Sequence, residues 1–143
     1  MSRRPFLLAL LLLPISALPA SDSGLVDYRQ AVYQAIGGHM SAIAGTLKGE
    51  APFGANLELH ARGVAELAPL TRQLFPVESN AVRSKARDRI WEDVALFAER
   101  REAFIEAAQG FGAVGTVDMS EYVAAFRTVG ETCKACHDDF KRD

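Results

Sequence analysis

The sequence is poor in cysteine: its 143 residues contain only Cys133 and Cys136. Both belong to one short motif, so no cysteine remains for a disulfide framework. A zinc site would also lack ligands, because His39 and His60 are the only spare histidines. Cysteine usage therefore excludes a disulfide scaffold and disfavours a structural zinc site.

Positive charge is also scarce. The chain has 16 Lys and Arg against 18 Asp and Glu. Residues 1–20 carry Arg3 and Arg4 and no acidic residue, so residues 21–143 hold 14 basic against 18 acidic residues, a formal charge of −4. Binding of nucleic acid needs a basic stripe that matches the phosphates, so nucleic acid is not an expected partner.

Long apolar runs are absent after residue 20, but a short one lies near the start. Arg3 and Arg4 precede the apolar stretch Leu7 to Leu13, and small and turn-forming residues follow as far as Ala20. This order is typical of a secretory signal peptide, predicted here over residues 1–20, with an uncleaved signal anchor as the alternative. Since no later run approaches the ~20 residues that span a bilayer, we expect an exported domain of residues 21–143 that is not in the membrane.

The sequence Cys133-Lys134-Ala135-Cys136-His137 is the C-x-x-C-H signature of covalent c-type haem attachment. On a helix, Cys133, Cys136 and His137 leave from one face, so both thiols can bond the haem vinyl groups while the imidazole binds iron. A thioredoxin-like dithiol is disfavoured, because it would normally lie at a strand-to-helix turn near the start of a domain. The motif predicts one covalently attached haem c per chain, with His137 as the metal ligand.

Hydrophobic spacing predicts four helices and no strand in the rest of the chain. The predicted helices cover residues 25–48, 55–74, 84–109 and 119–141. Gly49 and Pro52 end the first helix, the glycine-rich stretch 110–115 ends the third, and Asp118 caps the fourth. Four amphipathic helices with short connections predict an all-α, antiparallel up-down-up-down four-helix bundle.

Over essentially all of residues 21–143, the sequence resembles the cytochromes c′. The most specific marks are four short segments: Tyr28-Arg29-Gln30, Leu47-Lys48-Gly49-Glu50, Ile90-Trp91, and Cys133 to Asp138. The resemblance implies a periplasmic four-helix bundle whose C-terminal helix holds covalent haem. It also implies that two chains can form a homodimer through the first helix.

The resemblance further implies roles for residues around the iron. In typical members the iron is five-coordinate and high-spin, with a bulky residue of the first helix over its open face. That position corresponds here to Tyr33, four residues after Arg29. Met40 or His60 as a sixth ligand remains the alternative, giving a low-spin carrier, while His39 is expected at the surface or an interface.

Three further assignments follow from the same family positions. Arg29 and Gln30 match residues that bind the haem propionates, and a guanidinium suits a carboxylate. Leu74 and Phe75 match the apolar wall of the distal pocket. Lys141 lies one helical turn after His137, where it would tune the proximal side or complement the negative end of the helix.

The expected function is that of a binding module, not an enzyme. The resemblance implies binding of small gases, nitric oxide and carbon monoxide, and transfer of single electrons to periplasmic redox partners. A peroxidase-like enzyme is the rival interpretation, with His60 as the only candidate distal histidine. We predict that the chain is a haem-binding module and not a peroxidase.

Overall fold

The computed structural model describes residues 21–76, 79 and 84–142. The predicted signal peptide lies outside these residues. The helices are α1 (Asp22–Leu47), α2 (Leu57–Leu67), α3 (Arg89–Glu92), α4 (Val94–Ala113) and α5 (Met119–Phe140). Short 3₁₀ segments flank α2 at Gly54–Asn56 and Ala68–Gln73. No helix in these described ranges has the length and apolar character needed to cross a membrane.

The long helices α1, α2, α4 and α5 form an antiparallel four-helix bundle, which confirms the predicted fold class. Close packing runs from α1 to α2, from α2 to α4 and from α4 to α5. Among the described residues α1 and α5 approach each other far less closely. The bundle is thus well packed on three sides and opens on the fourth.

Helix α1 begins and ends on local signals. The Ser21 hydroxyl accepts a hydrogen bond from the Gly24 amide at 3.2 Å, so the helix begins three residues earlier than predicted. After its C-cap residue Lys48, Gly49 adopts a positive φ of 76°, which favours glycine and turns the chain away. The predicted end of the first helix is therefore correct to within one residue.

Helix α2 is shorter than predicted. A continuous helix was expected to residue 74, but the α-helical part ends at Leu67 and the chain tightens into a 3₁₀ segment. Pro69 lies in the first turn of that segment and has no amide hydrogen to continue the α-helical pattern. Leu74 nevertheless remains in the core, 3% exposed.

The predicted third helix is wrong at both ends. Residues 84–88 are not helical, and a break at Asp93 separates α3 from α4, where the Asp93 side chain accepts from the Leu96 amide at 3.3 Å. At its C-terminal end, α4 runs through the glycines that were expected to stop it. A Cβ atom on Gly112 would lie 2.4 Å from the Cβ of Ala65, so this glycine allows α4 to pack tightly on α2.

Helix α5 carries the haem motif on a well-defined scaffold. The Asp118 carboxylate caps it by accepting from the amides of Ser120 at 2.8 Å and Glu121 at 3.2 Å. At its far end, the Arg87 amide donates to the Phe140 carbonyl at 2.9 Å. The segment before α3 is thereby fixed beside the last turn of α5. Helix α5 itself ends at Phe140, one residue before the predicted end.

Candidate functional site

A cavity of about 900 Å³ opens between α1, α4 and α5. Its volume lies within the range of about 300–1,000 Å³ that is common for ligand sites. Most of its wall is apolar, and the apolar side chains come from all three helices, from α3 and from the chain that leads to α3. They are Tyr33, Ile36, Met40, Phe75, Ala86, Ile90, Phe97, Phe104 and Phe140.

The haem motif forms one wall of this cavity. Cys133, Cys136 and His137 all line it, as the i, i+3 and i+4 spacing on α5 requires. Both cysteines are half-buried and neither forms a disulfide. Burial and the neighbouring Cys133 raise the pKa of Cys136 to about 11, and burial also raises the pKa of Cys133. Both sulfurs therefore face the cavity as neutral thiols.

His137 is suited to bind a metal ion through a neutral imidazole. Loss of hydration against the cavity wall lowers its pKa, and the positive charge of Lys141 lowers it further, while Asp138 acts in the opposite direction. The neutral ring is the form that ligates iron. Lys141 lines the same cavity one turn further along the chain.

Tyr33 belongs to the wall that α1 contributes. Its ring packs against Phe75 with the centroids 6.2 Å apart. The aromatic contacts continue from Phe75 to Phe97 at 5.0 Å and from Phe97 to Phe140 at 5.1 Å. Burial raises the pKa of Tyr33 well above its usual value, and nearby Cys136 raises it further, so the phenol stays protonated at neutral pH.

Arg29 and Gln30 also line the cavity, but Arg29 is bound to protein groups as well. Arg29 is only 4% exposed, which excludes a solvated helix face for this side chain. Its guanidinium donates to the carbonyls of Leu74 at 3.4 Å and Ser79 at 3.2 Å, and to the Ser84 hydroxyl at 2.9 Å. It also lies 4.5 Å from the centroid of the Phe75 ring.

The two histidines considered as extra ligands pair with each other instead. The Nδ1 atoms of His39 and His60 are 2.9 Å apart across α1 and α2, at hydrogen-bonding distance. Neither residue lines the described cavity. His39, which was expected at the surface or an interface, is half-buried between the two helices: a Cβ on Gly63 would lie 2.6 Å from its ring, and this glycine makes room for it.

Two further residues line the cavity. Met40, the alternative sixth ligand, lies in the wall seven residues after Tyr33 and also contacts the core. Arg101 of α4 also lines the cavity and was not predicted. Arg101 lies four residues after Phe97 and three residues before Phe104, so helical spacing places all three on one face of α4. That spacing could have predicted Arg101 as a cavity residue.

The residues present fit a covalently attached haem. Two thiols and an imidazole occupy one wall, an extended apolar surface faces a flat hydrophobic ring, and Arg29, Gln30, Arg101 and Lys141 offer polar groups for its carboxylates. Among the residues that the structure describes, no cluster of three or more His, Cys, Asp or Glu side chains could hold a metal ion by itself. The donor set thus suits an iron porphyrin better than a bare metal ion.

Comparison with known proteins gives a consistent result. A family model described as Cytochrome C′ matches residues 24–141. A relative named cytochrome c′ from Cereibacter sphaeroides is 32% identical over 148 residues, covering 96% of this chain and 97% of the relative.

Solved structures match over the same length. Cytochrome c prime from Shewanella frigidimarina superposes with a TM-score of 0.80 at 30% identity, covering 86% of this chain and 98% of that one. A nitric oxide complex of a leucine-to-isoleucine variant of cytochrome c prime from Alcaligenes xylosoxidans gives 0.78 at 28% identity, covering 87% and 98%. A carbon monoxide complex of a leucine-to-glycine variant of the same protein matches equally well, with a TM-score of 0.78.

Proposed function

The chain belongs to the cytochrome c′ family, and from that premise we propose that it is an exported haem protein that binds nitric oxide and carbon monoxide and passes single electrons. Proteins of this family carry covalently attached haem c, and this chain has the attachment motif once.

His137 is proposed as the single protein ligand of the iron. It lines the cavity together with both attachment cysteines, and its lowered pKa favours the neutral imidazole. Cys133 and Cys136 would hold the porphyrin through thioether bonds. When bound, the haem supplies an iron that can change oxidation state and bind diatomic gases.

Tyr33 is proposed to screen the open side of the iron without binding it. Its ring lies in the α1 wall, supported by Phe75, while the iron ligand lies in the α5 wall. Because the pKa of Tyr33 is raised, the tyrosinate that could bind iron is disfavoured at neutral pH. A protonated phenol there restricts access by its bulk.

The apolar wall supports small neutral ligands. A cavity walled largely by aliphatic and aromatic side chains disfavours charged or strongly hydrated molecules. Two solved structures of a similar family member hold nitric oxide and carbon monoxide. We therefore propose these gases as ligands of the ferrous protein.

A second candidate is a low-spin electron carrier with Met40 on the iron. The observation in its favour is that Met40 lines the same cavity. His60 is a weaker candidate for this role, because it pairs with His39 and is not among the described residues that line the cavity.

The spin state of the ferric protein separates the two candidates. For the five-coordinate site, electron paramagnetic resonance should give a high-spin signal, and the ferrous form should bind carbon monoxide. Tyr33→Ala should speed carbon monoxide association about tenfold, equivalent to removing roughly 1.4 kcal/mol of steric barrier.

Met40→Leu is the matched control, since it alters the same wall and conserves apolar volume. It should leave the spin state unchanged. A low-spin ferric signal that becomes high-spin in Met40→Leu would replace the first candidate with the second.

No enzymatic activity is proposed. Peroxide cleavage by a haem protein uses a distal histidine or arginine near the iron. The cavity arginines are held by other groups, Arg29 by the Leu74 and Ser79 carbonyls and the Ser84 hydroxyl, and Arg101 by Glu102 and the Phe97 ring. The only histidine among the described lining residues is His137. Peroxide turnover should therefore be slow and the same in wild type and His60→Ala, whereas a fast rate lost in that variant would support a peroxidase.

Export to the periplasm is proposed from residues 1–20. Cytochrome c maturation occurs outside the cytoplasm, which agrees with a signal peptide that ends at Ala20. Amino-terminal sequencing of the haem-stained protein from a periplasmic extract should begin at Ser21. A mature chain that retains Arg3 and Arg4 would support the signal anchor instead.

Pairing of two chains is proposed through the first helix. Tyr28 on α1 is 54% exposed and Leu59 on α2 is 55% exposed, so each of these helices carries an exposed large apolar side chain. Sedimentation equilibrium should give twice the mass of one chain, and Tyr28→Asp should shift the equilibrium towards the monomer.

A further inference from the structure

A second depression, of about 630 Å³, lies beside His137 and adjoins the apolar cavity. We call it the basic basin, and its charged lining is almost entirely positive. The basic residues are Lys85, Arg87, Lys134, Lys141 and Arg142, and the one carboxylate is Asp138. The basic basin and the apolar cavity share five lining residues, which are Lys85, Gly130, Cys133, His137 and Lys141.

The sign of this surface is opposite to that of the domain. Residues 21–143 carry a formal charge of −4, yet five of their 14 basic residues surround one depression. Two carboxylates partly offset them: Asp138 pairs with Lys134, and Asp88 lies 3.5 Å from Arg142. Both pairs are well exposed to solvent, so they lower the positive potential of the basic basin only weakly. An excess of positive charge remains.

The backbone fixes the position of these charges. The Arg142 amide donates to the Lys85 carbonyl at 2.8 Å, and the Arg87 amide donates to the Phe140 carbonyl at 2.9 Å. The Arg87 guanidinium also donates to the Asp138 carbonyl at 3.1 Å. Two chain segments that are distant in sequence are thus joined so that their cations surround the attachment motif.

We propose that the basic basin is the docking surface for an acidic electron-transfer protein. The proposal rests on the proposed electron transfer by the haem. Cys133 and His137 connect the cavity to this depression, so a partner seated here would come close to the attached group. Complementary charge guides such transient partners and raises their association rate, even where the buried interface is small.

The salt dependence of two inorganic oxidants tests the local field. In the first reaction the ferrous haem loses one electron to ferricyanide, which becomes ferrocyanide. In the second it loses one electron to the cation tris(phenanthroline)cobalt(III), which becomes cobalt(II). If oxidants react at the basic basin, the ferricyanide rate should fall about fivefold or more between 10 and 200 mM salt, because screening weakens attraction. The cobalt rate should rise.

A protein probe and matched variants locate the effect. Reduced cytochrome b5, an acidic haem protein, should pass one electron to the ferric haem at a rate that falls with salt. Arg142→Glu should slow this reaction about fivefold or more, while Lys48→Glu, the same charge change at the exposed end of α1, should leave it within about twofold. Neither variant changes a residue that lines the apolar cavity, so carbon monoxide binding should stay normal.

Three results would overturn the proposal. If the ferricyanide rate rises with salt, the net negative charge of the domain controls how the oxidant reaches the haem, and the positive charge of the basic basin does not. Equal effects of Arg142→Glu and Lys48→Glu with cytochrome b5 would show that docking is elsewhere. If the haem binds carbon monoxide but exchanges electrons with none of the three reagents, the proposed electron transfer itself fails, and the docking surface with it.

Discussion

The two ends of the bundle differ in how they are closed. At one end, Tyr122 of α5 is fully buried, packs on Phe111 at 4.9 Å and donates its hydroxyl to the Leu57 carbonyl at 2.7 Å. At the other end, the same helix presents Cys133 and His137 to a cavity of about 900 Å³. We refer to these as the closed end and the open end.

The difference shows how one helix can serve both stability and function. At the closed end, protein groups satisfy one another: the Glu58 carboxylate accepts from the amide and hydroxyl of Thr116 at 3.0 and 2.8 Å. At the open end, α1 and α5 are kept apart, so the apolar walls need a further group to complete the core. The closed end is thus stabilised by contacts among its own side chains, whereas packing of the open end is completed only by the attached group.

Removing both thiols of the open end should change the protein most. Cys133→Ala with Cys136→Ala should abolish covalent haem, so the haem stain is lost after denaturing electrophoresis. A group held this firmly acts like a ligand in great excess over its Kd, so the free energy of unfolding should fall by about 4 kcal/mol or more.

Hydrogen exchange tests whether that loss is local. Amides of α1 and α5 around the cavity should lose protection, whereas amides near Tyr122 and Phe111 should keep most of theirs. The matched control is Thr128→Ala, an exposed change on α5 outside the cavity lining. Uniform loss of protection along α5 would show that the two ends are one cooperative unit.

The sequence predicted the bundle because helical spacing and caps are local signals. The apolar stripes, the Asp118 cap and the Gly49 stop all depend on neighbouring residues, and all three are found in the structure. The errors arose where tertiary packing overrides local propensity. Gly112 was interpreted as a helix breaker, although it is the contact that lets α4 approach Ala65 of α2.

The haem site likewise has features that the sequence predicted and features that it did not. The motif and its position on one face of α5 were predictable from spacing, and the family resemblance indicated Tyr33 and Arg29 as cavity residues. The pairing of His39 with His60 was not predictable, because it depends on the rotation of α1 against α2. Nor were the contacts of Arg29 with Ser79 and Ser84, which come from 50 and 55 residues further along the chain.

A matched pair of tyrosine variants tests the two ends separately, and we expect an effect of intermediate size. Tyr122→Phe leaves the buried Leu57 carbonyl without its donor, so it should destabilise the protein by about 1–2 kcal/mol. Tyr33→Phe keeps the ring against Phe75 at the half-buried cavity wall and should cost less than about 0.5 kcal/mol. Urea unfolding of the haem-loaded proteins measures both. Equal costs would mean that the open end depends on its phenol for stability as the closed end does.

The smallest expected effect is the pH response of the Glu58 contact. The amide and hydroxyl of Thr116 lower the pKa of Glu58, which means that the folded state favours the carboxylate. A group with a lowered folded pKa stabilises the protein above its unfolded pKa of about 4.3, and this stabilisation is lost as pH falls through the folded pKa.

Wild type should therefore exceed Glu58→Gln in stability at pH 7, and the difference should shrink below about pH 4. Glu66→Gln, an exposed change on the same helix, should show a smaller difference at pH 7. If the gap between wild type and Glu58→Gln stayed constant down to pH 3, the carboxylate would not be the group that ties α2 to the turn before α5, and the closed end would owe its stability to apolar packing alone.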